Sequence, residues 1–307
     1  MPSQAGSSTR VKIWGARGSI PVPGPSTVRY GGNTSCVEVR ADGELIVLDA
    51  GSGIRALGLA LENEFGSRPI KLTLLITHPH WDHIQGFPFF GPSYNDKNQI
   101  RIFGFDGADK GLVEILRNQM ATPFFPIHLR DLRGKIEIER PDSMEFNIGK
   151  VRVSAKFVNH PGFCAGYRLF TTKGSVAYLP DNELYDAFKV HSAGSDALSP
   201  EQARKRAKEE RAALVTFLHG CDILILDTQY TDKEYAAHVG WGHGSLSAAV
   251  ALALDAEVRK LVLFHHDPEH DDTEIDGMLK TAQKIAASSG KSLDVDAARE
   301  GAEFTLH

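Results

Sequence analysis

Three imidazoles and one carboxylate lie close together in residues 77–83, which read THPHWDH. The segment follows the apolar run LTLLI, which predicts a buried strand, and it precedes a predicted helix. His78 and His80 are two residues apart, so in an extended segment both side chains point to the same side and can bind one metal ion. Asp82 and His83 fall at the turn into the helix, where they can face a neighbouring metal position. Imidazole and carboxylate suit zinc, and also manganese or iron.

Further metal-binding side chains stand at the ends of other predicted strands. KFVNHPG contains His160, SVAYLPD ends at Asp181, and KLVLFHHD carries His265 and His266. In layered α/β folds, ligand-binding groups collect at the carboxyl ends of strands. A carboxylate such as Asp181 can bridge two metal ions about 3.5 to 4 Å apart. The sequence therefore predicts a binuclear metal centre, although spacing alone cannot rank His265 against His266.

The elements that must position these residues alternate between strands and helices in both halves of the chain. Short apolar and β-branched runs predict strands at 11–15, 36–41, 44–50, 71–78, 99–106, 222–228 and 261–265. Apolar spacing and start signals predict helices at 54–66, 109–120, 199–220, 245–256 and 272–288. A strand-rich stretch lies between the predicted helices at 109–120 and 199–220. No low-complexity linker interrupts this pattern. It predicts an α/β protein with two sheets between helices, as a flexible tail at 1–9 and a single domain at 10–307.

Composition narrows the class of protein. The chain has 307 residues, and 42% of them are hydrophobic. Its net charge of −5 gives no indication of a polyanionic partner, which would favour a basic protein. No apolar run approaches the roughly 18 residues of a membrane span, and the first residues lack a signal-peptide core. Cys36, Cys164 and Cys221 show no CxxC spacing, which argues against a disulfide framework. We therefore expect a cytoplasmic protein, without membrane association, in which the three cysteines are buried as small apolar groups.

HPHWDH, followed in order by His160, Asp181 and His265, resembles the metallo-β-lactamase superfamily of binuclear metal hydrolases. The resemblance covers nearly the whole chain and implies an αββα four-layer sandwich. It implies one metal ion on His78, His80 and His160, a second on Asp82, His83 and His265, and Asp181 as the bridge. It also prefers His265 to His266. Lactamases proper usually have a cysteine at the bridging position, so the aspartate points to the esterase and phosphodiesterase branches.

Several other segments are similar to one branch of that superfamily, ribonuclease Z and the small cyclic phosphodiesterases: DHIQGFPFF, WGARGSIPVPGP, VRYGGNTSC, DTQYTDKEY and GWGHGS. In this branch a histidine at the GWGHGS position contacts the scissile phosphate or the leaving group, and an acidic residue orients it. The resemblance implies these roles for His243 and Asp227. Two divalent ions, with zinc expected and manganese or iron as alternatives, would activate a water, and Asp82 or Asp181 would take up its proton.

Together these observations predict a metal-dependent phosphodiesterase for a small, cyclic-nucleotide-like substrate. Large RNA is less favoured because KRAKEER interleaves acidic with basic residues, and no basic insertion like the flexible arm of ribonuclease Z is present. A ribonuclease Z-like tRNA 3′ endonuclease stays open, and so does a thioester or lactone hydrolase on the same metals. The His243 and Asp227 pair argues against the latter. The helix at 201–218 could cap the pocket or form a homodimer contact.

Three residues near the motifs have more than one interpretation. Asp49, in LDAGSG, could hydrogen-bond a liganding histidine or belong to a plain turn. Arg17 could line the pocket, although loop polarity alone accounts for it. Trp81, between two predicted ligands, is expected to pack or to form a pocket wall.

Overall fold

The computed structural model describes residues 8–105, 111–184 and 199–307. Its strands are β1 (Thr9–Gly15), β2 (Cys36–Ala41), β3 (Glu44–Leu48), β4 (Lys71–Ile76), β5 (Gln99–Gly104), β6 (Lys135–Glu139), β7 (Glu145–Ile148), β8 (Val151–Phe157), β9 (Ala165–Thr171), β10 (Gly174–Leu179), β11 (Ile223–Asp227), β12 (Lys260–Phe264), β13 (Asp294–Ala297) and β14 (Glu303–Leu306). Its helices are α1 (Ile54–Phe65), α2 (Trp81–Ile84), α3 (Leu112–Gln119), α4 (Pro200–Leu218), α5 (Asp232–His238), α6 (Leu246–Asp255) and α7 (Asp272–Ser288).

The strands form two seven-stranded sheets, in the order β14-β1-β2-β3-β4-β5-β6 and in the order β13-β12-β11-β10-β9-β8-β7. Strands β3 to β6 run parallel to one another, and so do β10 to β13. Parallel strands end at a common edge, so each sheet gathers the loops that follow its strands in one place. His78, His80, Asp181 and His265 come from those loops, whereas His160 lies in the turn between β8 and β9.

Three apolar layers hold the sheets and helices together. Between the sheets, Val11 and Ile13 of β1 share a buried cluster with Val153 and Leu169 of the second sheet. Helices α1 and α3 cover the outer face of the first sheet through residues such as Leu57. Helices α4, α6 and α7 cover the outer face of the second sheet. The predicted arrangement of two sheets between helical layers is confirmed.

Most strands and helices lie where the sequence predicts them, but five strands, β3, β4, β5, β11 and β12, end one or two residues before their predicted ends. Strand β3 stops at Leu48 rather than at residue 50, and β12 stops at Phe264 rather than at residue 265. The next residues, Asp49 and His265, have φ angles of 60°, in the left-handed region that does not continue a strand. Both belong to the predicted site or its surroundings.

The amino-terminal prediction needs one adjustment. Thr9, placed in the tail, is the buried first residue of β1 and pairs with Leu306 of β14. Residues 1–7 and 106–110, which include part of the predicted tail and the start of the predicted helix at 109–120, lie outside the described residues. The helix there is observed as Leu112–Gln119.

One expectation from composition agrees with the structure. Cys36, Cys164 and Cys221 are free and buried, as predicted. Among the described helices, none has both the length and the apolar character that crossing a bilayer requires.

Candidate metal centre

The predicted ligands come from the loops that follow strands of both sheets. His78 lies just after β4, and His80 is the extended residue that precedes α2 (φ −64°, ψ 151°). Asp82 and His83 lie within this four-residue helix. Because the chain is extended before α2 and helical within it, His78 and His80 contribute to one group of side chains, while Asp82 and His83 contribute to another.

The first group contains His78, His80, His160 and Asp181, whose ligand atoms all lie within 4.8 Å of one another. His160 Nε2 is 3.0 Å from His80 Nδ1 and 3.6 Å from Asp181 Oδ2. His78 Nε2 is 3.5 Å from the same carboxylate oxygen. Three of the four side chains are buried, and His80 is exposed. Three imidazole nitrogens and one carboxylate oxygen are a ligand set that suits zinc.

The second group contains Asp82, His83 and His265, again with ligand atoms within 4.8 Å of one another. Asp82 Oδ2 lies 3.3 Å from His83 Nε2 and 3.1 Å from His265 Nε2. Asp181 also reaches this group, through its other oxygen: Oδ1 is 3.0 Å from His83 Nε2 and 3.3 Å from His265 Nε2. The two oxygens of Asp181 thus face different groups, as a bridging carboxylate requires.

The polar atoms of these groups fit a bound cation. His78 Nε2, His83 Nε2 and Asp181 Oδ1 are buried and have no hydrogen-bond partner within the described part of the chain. A buried polar atom without a partner is costly, and a metal ion would satisfy all three. Burial lowers the pKa of His160 to about 4, so its imidazole is neutral near pH 7 and Nε2 keeps its lone pair.

The carboxylates are ionised, as metal ligands must be. Burial alone would raise the pKa of Asp181, but the imidazoles of His265 and His83 outweigh it and hold that pKa well below its ordinary value. The pKa of Asp82 is lowered in the same way by His83 and His265, again against the effect of burial. Buried negative charge is therefore concentrated between the two groups.

Neighbouring residues fix the orientation of three of these imidazoles. His83 Nδ1 donates to Asp49 Oδ2 at 2.7 Å, which settles the choice for Asp49 in favour of a hydrogen bond to a histidine of the site. His160 Nδ1 donates to the carbonyl of Gly242 at 2.9 Å. His265 Nδ1 donates to Gln229 Oε1 at 3.0 Å. In each case Nε2 is left to face the centre, which is how metal-binding histidines are usually held.

His243 and Asp227 lie beside the two groups. His243 Nδ1 donates to Asp227 Oδ2 at 3.0 Å, and Asp227 is fully buried. The His243 ring stacks on His265, with ring centres 4.9 Å apart. Burial opposes protonation, but Asp227 outweighs it and raises the pKa of His243 to about 9. The ring is therefore protonated near neutral pH, and Nε2 is the nitrogen that can contact a substrate.

His265 and His266 have different surroundings. His266 Nε2 donates to the carbonyl of Ala298 at 2.8 Å, and burial lowers its pKa to about 3. It belongs to none of the groups whose atoms converge. The geometry therefore favours His265 as the ligand, in line with the resemblance.

Several contacts with the site were not anticipated from the sequence. The Ser19 backbone N–H donates to Asp82 Oδ2 at 2.7 Å. Glu183 accepts hydrogen bonds from the backbone N–H groups of Gly240 and Gly242, at 2.6 and 2.8 Å. The available signals were weak: Glu183 is two residues after Asp181 at the same strand end, and Ser19 lies in a Gly-rich loop.

Two other expectations need correction. Trp81 is 77% exposed, so it does not pack into the interior. Arg17 is fully buried rather than lining a pocket. Its guanidinium donates to the carbonyls of Gly31, Asp267 and His270, so it fastens the amino-terminal loop to the segment after His265. The sequence around Trp81 and Arg17 does not show whether these side chains are buried, because burial depends on tertiary packing.

Comparisons with known proteins agree with this geometry. A family model described as "Beta-lactamase superfamily domain" matches residues 45–266. The ribonuclease Z of Thermoplasma acidophilum is 25% identical, over 94% of this chain and 95% of the relative. The metallo-β-lactamase fold protein YhfI from Bacillus subtilis aligns with a TM-score of 0.64 at 18% identity, over 97% of this chain and 100% of that one. A diphosphatase from the PhnP family aligns with a TM-score of 0.62 at 17% identity, over 96% and 97%.

Proposed function

The chain belongs to the β-lactamase superfamily, and on this premise we propose that it is a binuclear phosphodiesterase acting on a small, cyclic-nucleotide-like phosphodiester. The family match confirms the predicted superfamily, and the ribonuclease Z relatives confirm the predicted branch. The predicted class, a metal-dependent hydrolase, is likewise confirmed. The phosphodiester substrate and the roles of individual residues are our proposal.

One observation carries the proposal. The two oxygens of Asp181 are divided between two groups of imidazoles, and a His243 held by Asp227 lies beside both. His78, His80 and His160 would hold one divalent ion, Asp82, His83 and His265 the other, and zinc is the ion this ligand set favours. When bound, such a pair of ions lowers the pKa of a water and neutralises the charge of a phosphate.

The chain's own residues supply the remaining steps. The ionised carboxylate of Asp82, a member of the second group, or that of Asp181 can take up the proton released as water attacks phosphorus. The contact with Asp227 favours the protonated form of His243, which can donate a proton from Nε2 to the departing oxygen. Asp227 keeps Nδ1 engaged, so the ring cannot turn that nitrogen towards the substrate. Hydrolysis of a phosphodiester needs this proton because an alkoxide is a poor leaving group.

Several observations bear on substrate size. The net charge of −5 and the mixed charges of α4 favour a small substrate, since binding a long RNA backbone depends on clustered positive charge. The diphosphatase with a similar fold is consistent with a small phosphate ester. The curated relatives named ribonuclease Z favour the second candidate, cleavage of precursor tRNA, and 94% of this chain aligns with one of them.

Metal analysis joined to a substrate panel tests the proposal. We expect about two divalent ions per chain, and turnover of 2′,3′- or 3′,5′-cyclic nucleotides well above that of precursor tRNA, thioesters or lactones. His243→Ala should keep both ions and lose roughly 10²- to 10⁴-fold in kcat. His219→Ala, at an exposed histidine after α4, is the matched control and should keep full activity.

The outcomes separate the candidates. Faster cleavage of precursor tRNA would favour the ribonuclease, and turnover confined to thioesters or lactones would exclude phosphodiester chemistry. Full activity of His243→Ala with both ions bound would remove that residue from the mechanism.

A further inference from the structure

A cavity of about 450 Å³ lies beside the metal centre. Its walls are the turn between β8 and β9, helix α4 and helix α6, and His160 of the first ligand group is among its lining residues. Small-molecule sites typically occupy about 300 to 1,000 Å³, so the cavity can take a ring system as large as a nucleobase. The cavity shares His160 with the proposed centre, and none of its other lining residues belongs to the predicted metal ligands.

Small side chains create this space. Ala207 of α4 and Ala248 and Ala251 of α6 line the cavity, together with the buried Leu214. The two helices contact one another here, and larger residues at these positions would close the gap. Phe157, which is 39% exposed, adds an aromatic wall. Apolar walls of this kind bind apolar groups, and an aromatic wall favours a flat ring.

The arginine and glutamate side chains among the described lining residues carry no net charge. Arg206 and Arg211 are among the described lining residues, and so are Glu183 and Glu210. Arg211 lies 2.8 Å from Asp255, and Glu183 accepts hydrogen bonds from two backbone N–H groups of the loop before α6. A second phosphate would require an excess of positive charge, which this set does not provide. A neutral group fits better.

We propose that this cavity, the α4–α6 pocket, binds a neutral aromatic ring attached to the phosphorus-bearing part of the substrate and so sets substrate preference. The inference rests on the proposed function, because the ring is placed relative to a phosphate at the metal centre. In this proposal, substrate specificity depends on helices α4 and α6, which carry none of the predicted metal-binding residues. A substrate without a ring would still reach the centre and would bind more weakly.

Binding of two probes that share a phosphate tests the pocket. Inorganic phosphate and 1-naphthyl phosphate are titrated calorimetrically into the metal-loaded full chain. Wild-type protein should bind the naphthyl ester more tightly. Ala251→Leu should reduce that advantage by roughly tenfold or more while leaving the affinity for phosphate unchanged, because a filled apolar pocket rejects only the ring. In kinetics, the same variant should raise KM for 3′,5′-cyclic AMP and leave kcat within about twofold.

Two further variants keep the test decisive. Ala248→Leu fills the same pocket and replaces Ala251→Leu if that protein fails to fold, as judged by its melting temperature and metal content. Ala212→Leu, exposed on α4 outside the pocket, should behave as wild type. A ring advantage that is absent in wild type, or unchanged in both filled variants, overturns the pocket. Protein that binds both probes normally but hydrolyses no phosphodiester overturns the proposed function instead.

Discussion

At the scale of single residues, the site depends on groups that hydrogen-bond the predicted histidine ligands on the side away from the centre. Asp49, Gln229 and the carbonyl of Gly242 each accept a hydrogen bond from one imidazole and leave its second nitrogen towards the centre. Asp49 also accepts from the hydroxyls of Thr77 and Tyr178, so its own position is fixed in the interior. The tautomer and direction of each ring are therefore set before a metal binds.

Gly18 is a residue at which this arrangement is sensitive to a single methyl group. A Cβ at this position would overlap the His265 ring, whose side chain is fully buried and has little room to move. Gly18→Ala should therefore displace His265 and weaken the second metal site by roughly 10- to 100-fold, while the first site keeps its affinity. Metal stoichiometry after equilibration with a chelator of known affinity measures this directly.

The matched control is Gly24→Ala, in the same amino-terminal loop. Nothing lies within 4 Å of a Cβ at that glycine, so its metal content should equal that of wild type. Two tightly bound ions in Gly18→Ala would show that the His265 ring tolerates the displacement, or that His265 is not a ligand.

At the scale of elements, the loop between α5 and α6 is held by one carboxylate. Glu183 follows β10 and accepts from Gly240, Gly242 and the hydroxyl of Tyr235. The carbonyl of Gly242 in turn accepts from His160, and His243 is the next residue. The carboxylate thus positions one predicted ligand and the predicted proton donor through a single loop.

Glu183→Gln tests this connection. The amide keeps the size of the side chain but has one acceptor atom instead of two, so a buried backbone N–H loses its partner at a cost of about 1–3 kcal/mol. We expect a lower melting temperature and a kcat reduced more than KM is raised, since proton donation depends on the position of His243. Glu209→Gln, an exposed residue of α4, is the control. Unchanged kcat in Glu183→Gln would show that the loop holds its position without the carboxylate.

The sequence predicted elements better than their ends. Apolar spacing located α1 and α6, a Ser-Pro start signal located α4, and the strands were located because their apolar runs are short and bounded. The sequence placed the ends of β3 and β12 too late. Asp49 and His265 adopt left-handed backbone angles there, which cannot be predicted from an aspartate or a histidine alone. The motif located the predicted ligands, whereas Glu183 and Ser19 act through backbone N–H groups brought close only by the fold.

At the scale of the whole molecule, the candidate centre connects the two sheets. His78 and His83 lie in the loop and short helix α2 that follow β4 of the first sheet, while Asp181 and His265 follow β10 and β12 of the second. Asp181 lies 3.5 Å or less from all three histidines. Bound ions would therefore join the two halves of the fold, and they would satisfy buried polar atoms that otherwise destabilise it.

Removing the metals should consequently lower the stability of the entire fold. Binding at about 100 times the dissociation constant contributes about 2.7 kcal/mol per site, and about 1 kcal/mol corresponds to roughly 2–4 °C in a chain of this size. Chelation empties both sites, a loss of about 5.4 kcal/mol, so calorimetry of the zinc-loaded protein before and after chelation should show a fall of about 10–20 °C, reversed by adding zinc. Asp181→Asn should show a clearly smaller fall on chelation, since a neutral amide replaces the charged carboxylate between the two groups while each group keeps its other ligands. If chelation leaves the melting temperature of the wild-type protein unchanged, the two sheets are held by their apolar core alone, and these side chains bind no ion tightly.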